Sequence, residues 1–121
     1  MKLEGTIGDH GPMATVTVRV DGAAREVQAI LDTGARVSLL DERVALELGA
    51  PERSPREIVG ACGPCTLRRF EVDVLFAGLE LTGVMPSHQG LVGAGILVGQ
   101  DVLSRGKLTV DGPRRRWTFE T

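Results

Sequence analysis

The chain has 121 residues, of which 42% are hydrophobic, 25% charged and 3% aromatic, and 14 basic against 16 acidic side chains leave a formal charge of -2. This composition predicts one globular domain over residues 1–121; it excludes a basic, phosphate-tracking surface and an aromatic platform for nucleic acid, so no nucleic-acid partner is expected. No apolar run approaches the roughly 20 residues that cross a bilayer, the first residues lack a secretion-signal layout, and two cysteines make no disulfide framework, so a cytoplasmic location with no membrane segment is expected.

From Ala14 to Val20 the residues alternate, with Val16, Val18 and Val20 on one face and Thr15, Thr17 and Arg19 on the other. That period of two is the mark of a half-buried strand. Asp21-Gly22 signals a tight hairpin, and a returning strand from about Arg25 to Leu31 leads into Asp32-Thr33-Gly34-Ala35. A short strand is expected over Val37–Leu40, then a helix capped by Asp41, with Val44 and Leu48 four apart and Gly49 at its end. Pro51 and Pro55 bracket a charged connection, and Ile58-Val59-Gly60 begins a strand broken by Ala61-Cys62-Gly63-Pro64-Cys65.

Alternation resumes from Thr66 to Phe76, with Phe70, Val72, Val74 and Phe76 inward and Arg69, Glu71 and Asp73 outward. Leu79–Val84 is a further strand, and 86–93 reads as a loop. Ile96-Leu97-Val98-Gly99 is apolar throughout, the pattern of a segment buried on both faces. A helix of one or two turns over Gln100–Arg105 and a closing hairpin of Lys107–Val110 and Arg115–Glu120 complete the chain. About eight strands and at most two short helices make the fold mainly β, with a closed or heavily curled sheet.

The chemistry concentrates in Ile30-Leu31-Asp32-Thr33-Gly34-Ala35, where a carboxylate follows an apolar strand and sits beside a glycine. By itself such a triplet is an ordinary turn between strands. With Leu97-Val98-Gly99 some sixty residues later and a β-hairpin between, the sequence resembles the retropepsins, the retroviral-type aspartic proteases, over roughly Ala14 to Glu120. The resemblance implies a small closed β barrel with one or two short helices. It also implies a homodimer acting on a peptide or protein substrate, with no cofactor and no metal. It assigns Asp32 as the catalytic carboxylate, Thr33 as the tie between two active-site loops across a dimer axis, and Gly34 as a contact to substrate backbone. Ala35 and Arg36 would line the substrate site, and the hairpin around Gly60, Ala61, Cys62 and Gly63 would be a flap closing over it. Gly99 would let its strand pack tightly behind the loop.

Amide hydrolysis of this kind needs one carboxylate to take a proton from water and a second carboxyl to protonate the carbonyl oxygen. Two carboxyls about 3 Å apart cannot both ionise and so share one proton, which is the general account of aspartic proteases. Asp101 and Asp111 lack the strand-then-Asp-Thr-Gly setting of Asp32, so the second carboxyl is expected from another copy across a two-fold axis.

Two departures stand out. Arg36 replaces the acidic residue common in viral members, and Pro64 stiffens a hairpin that is normally glycine-rich at its tip. They keep open a second reading, a non-catalytic module of the same fold that binds peptides or proteins. Cys62-Gly63-Pro64-Cys65 matches the tetrapeptide of thioredoxin-like enzymes, but an alternating strand follows it rather than a helix. A disulfide between the two cysteines would staple the hairpin tip. His10 and His88 show no metal-ligand spacing with them.

Overall fold

The computed structural model describes residues 1–60, 63–91 and 93–121. Ten strands and two short helices follow one another: β1 (Lys2–Gly8), β2 (Gly11–Val20), β3 (Ala23–Leu31), β4 (Leu39–Asp41), α1 (Glu42–Leu48), β5 (Glu52–Gly60), β6 (Gly63–Phe76), β7 (Leu79–His88), β8 (Ile96–Val98), α2 (Gln100–Leu103), β9 (Lys107–Asp111) and β10 (Arg116–Glu120).

The alternating runs form the heart of the sheet. β2 pairs antiparallel with β3, and β6 with β7, while β6 also pairs with β2 through Thr17–Leu75 to Arg19–Asp73. β8 lies parallel to β3 and antiparallel to β4, and β4 runs parallel to β7. Strands β2, β3, β8, β4, β7 and β6 thus close into a ring. The expected curled sheet is this ring, extended on one side by β1, β10 and β9 and on the other by β5.

Inside the ring, Val16 and Val18 meet Phe70, Val72 and Val74, and Ile96 and Val98 are fully buried, as an apolar strand between two neighbours must be. Phe76 of the ring packs against both Trp117 and Phe119 of the extension. Asp41 caps α1 by accepting the Arg43 N–H at 2.9 Å, and Gly49 ends the helix in the left-handed conformation.

Five segments differ from the sequence expectation. β1 was not foreseen. β5 begins at Glu52, where a charged connection was expected, and carries an irregularity between Arg53 and Arg56 that accommodates Pro55. β6 already begins at Gly63, and β7 runs on to His88 through Pro86. The strand expected from Val37 starts only at Leu39, because Ser38 turns inward to bond across the molecule.

Candidate active site

β3 and β8 end side by side, with Leu31 opposite Val98. The Asp32 N–H donates to the Val98 carbonyl at 2.9 Å, so the chain stays pinned for one residue beyond its strand. It then turns: the Ala35 N–H donates to the Asp32 carbonyl at 3.2 Å, and the Gly34 N–H donates to Asp32 Oδ1 at 2.9 Å. The carboxylate is partly buried and held by a backbone donor, while Thr33, Gly34 and Arg36 are exposed at the rim. Gly34 is not in the left-handed region. Its lack of a side chain matters because a Cβ there would stand 3.3 Å from Asp32 Oδ1.

The loop rests on α2. The Gln100 N–H donates to the Ala35 carbonyl and Gln100 Nε2 to the Thr33 carbonyl, both at 2.8 Å. Ser38, 1% exposed, donates its N–H and its hydroxyl to the two carboxylate oxygens of Asp101 at 2.9 and 2.7 Å, and its Oγ accepts the Gly99 N–H at 3.0 Å. A Cβ on Gly99 would stand 2.8 Å from the carbonyls of Ala35 and Val37. The expected tight approach of Gly99 is therefore a backbone-to-backbone contact that no other residue permits. Gln100, Asp101 and Ser38 escaped the sequence reading because their partners lie more than sixty residues away.

β5 and β6 form a hairpin whose register closes at Gly60 opposite Gly63. β7 pairs with β6 only from Arg69 onward, so the part from Arg56 to Gly60 and from Gly63 to Leu67 stands out as a two-stranded arm. Gly63 has φ +98°, a conformation that favours glycine. Ala61 and Cys62 lie outside the described residues, and the proposed Cys62–Cys65 staple with them. Cys65 is exposed on the strand opposite Ile58 rather than in a turn.

The root of the arm is tied by charge. Arg68 bonds Glu42 on α1 and Glu52 on β5 and lies 5.2 Å above the Phe70 ring, and Arg69 Nε donates to the Ser54 carbonyl at 2.7 Å. The hydrogen bond from Arg68 holds the Glu52 carboxyl below the usual carboxylate range. A small cleft of about 100 Å³ lies between Arg56 on the arm and Val37 and Ser38 at the loop exit, with Asp101 and Met85 in its wall. Larger clefts of about 400 and 440 Å³ lie elsewhere, one beside Asp41 and Arg43 and one beside Met13 and Trp117.

The chain thus carries a carboxylate on a pinned turn, backed by an apolar strand and a glycine, and a projecting hairpin. A family model described as "gag-polyprotein putative aspartyl protease" matches residues 16–105. The chain belongs to that family. Among curated proteins no sequence matches it. Among solved structures, EIAV protease complexed with the inhibitor HBY-793 is similar at 20% identity and a TM-score of 0.61, covering 78% of this chain and 86% of that one. A retropepsin-like aspartic protease from Rickettsia conorii is similar at 16% identity and a TM-score of 0.60, covering 98% and 89%. The retroviral protease-like domain of Ddi1 from Leishmania major gives 20% identity and a TM-score of 0.50, covering 84% and 82%. At these identities the structures show a shared retropepsin-type fold.

Proposed function

We propose that the protein is a homodimeric aspartic endopeptidase in which Asp32 and Asp32 of a second copy share one proton. The observation that carries this reading is the turn around Asp32: one partly buried carboxylate on a loop whose tip, Thr33 and Gly34, is exposed to meet another molecule. Thr33 ties the two loops together across the axis. The ionised carboxyl of the pair takes a proton from a water molecule, and the water oxygen attacks the scissile carbonyl carbon. The protonated carboxyl gives its proton to the carbonyl oxygen. Collapse of the resulting diol breaks the C–N bond, and the amine leaves with a proton returned through the dyad. Gly34, Ala35 and Arg36 contact substrate from below, and the hairpin end, residues Gly60, Ala61, Cys62 and Gly63, from above.

Asp32→Asn tests the mechanism, because the amide keeps the shape of the side chain and can neither act as a base nor share a proton. Cleavage of a diverse peptide library should fall roughly a thousandfold or more, while sedimentation shows wild type and variant as dimers. Undiminished cleavage by the variant, or a wild type that cleaves as a monomer, overturns the proposal. Pro64, fixed in the arm opposite Val59, supports the second reading of a peptide-binding module without turnover. Equal peptide affinity of wild type and Asp32→Asn, with neither cleaving, would establish it.

A further inference from the structure

We infer that Gln100 is a positioning residue for Asp32, acting through the peptide group between Thr33 and Gly34; the inference rests on the proteolytic reading for its kinetic consequences. The carbonyl of Thr33 and the N–H of Gly34 belong to one planar trans peptide, and in such a unit they point in opposite directions. Gln100 Nε2 donates to that carbonyl at 2.8 Å, and the N–H on the far side donates to Asp32 Oδ1 at 2.9 Å. A carbonyl oxygen can only accept, so the side-chain nitrogen of Gln100 must face it. The three groups form a relay: amide donor, peptide, carboxylate.

The relay has two effects. Fixing the carbonyl fixes the tilt of the peptide plane, and with it the direction of the N–H aimed at the carboxylate. Polarising the carbonyl also strengthens the N–H as a donor, since hydrogen bonds in a chain reinforce one another. The bond from the Gln100 backbone N–H to the Ala35 carbonyl does neither, because it holds a different peptide. The side chain therefore contributes something the fold alone does not: it aims the N–H that holds Asp32 Oδ1. A loop with exposed Thr33 and Gly34 has few other constraints on this plane.

Gln100→Met separates the two roles of the residue. It keeps the length of the side chain and the backbone bond to Ala35, and removes only the donor. The Gly34 amide proton resonance should move upfield and its hydrogen exchange quicken. The kcat for a cleaved peptide should drop by up to about tenfold, the rate equivalent of one lost neutral hydrogen bond. KM should stay within about twofold, because a group acting on the carboxylate rather than on substrate spares ground-state binding. Gln100→Lys, which restores a donor on a flexible stem, should recover most of both signals. A methionine variant with the wild-type Gly34 resonance and wild-type kcat overturns the inference, and so does a lysine variant as impaired as the methionine one. If wild type cleaves no peptide, the proteolytic reading fails while the Gly34 resonance still decides whether Gln100 sets the peptide.

Discussion

β3 and β8 are neighbours with nearly the same local sequence, Ile30-Leu31 and Leu97-Val98, running parallel and ending level, yet the chain does opposite things beyond them. After Leu31 it opens into a turn whose tip is exposed and whose carboxylate is free on one side. After Val98 it is pressed against the carbonyls of Ala35 and Val37 and begins a helix whose first two residues grip that same turn. One strand end displays a carboxylate and its twin supplies the rigidity. The pairing explains how a short exposed loop can be held firmly without being buried.

The contrast is broken most severely at Gly99. Gly99→Ala drives a methyl group into backbone on two sides and should cost about 3 kcal/mol in urea unfolding, near the upper end of overpacking costs. Gly34→Ala, whose Cβ meets only the Asp32 side chain at 3.3 Å, should cost less than about 1 kcal/mol. Equal costs at the two positions would erase the distinction between the displaying and the supporting end.

Ser38 comes next. Ser38→Ala removes the hydroxyl that accepts from the Gly99 N–H and donates to Asp101, leaving a buried N–H unpaired, and should cost about 2 kcal/mol. Ser38→Thr, keeping the hydroxyl, should restore part of that loss in the same unfolding measurement. An alanine variant as stable as wild type would mean that the grip comes from packing alone.

The smallest effect concerns Asp41, which ends β4 on the other flank of β8. Burial works against its charge, but the Arg43 guanidinium and the N–H groups of Arg43 and Leu91 prevail and hold its carboxyl below the usual range. A carboxyl lowered in the folded state stabilises fully above its unfolded value of about 4, and the contribution disappears as pH falls through the folded value. Asp41→Ala should therefore cost about 1 kcal/mol at pH 7, the usual worth of a helix cap. Its stability should also decline less steeply than that of wild type below about pH 4. Parallel acid-unfolding curves for the two proteins would refute this account.

Most of the ring was legible in the sequence, since Val16 to Val20 and Phe70 to Phe76 bury alternate residues as their period requires. β1 was hidden because its inward position at Gly5 carries no side chain: Trp117 fills the space, and a Cβ there would lie 2.6 Å from its ring. β5 was hidden because it is an exposed edge strand, where charges and a proline are tolerated and apolar alternation is not needed. The aspartate loop was legible as a motif. Its support was not, because the partners of Gln100 and Asp101 are fixed by the parallel placement of β3 and β8 and leave no trace in local spacing.

That separation sets the order in which the molecule is made. Gln100 reaches back 67 residues to Thr33, and Asp101 reaches back 63 to Ser38. Closing such distant contacts carries a loop-entropy cost and belongs late in folding. At about 5–20 residues per second, a growing chain holds Asp32 for roughly 3–14 seconds before Gln100 has been synthesised. Under the proposed dimeric mechanism Asp32 stays latent until the ring has closed and a second copy has met it, so completion of the fold is a precondition of activity.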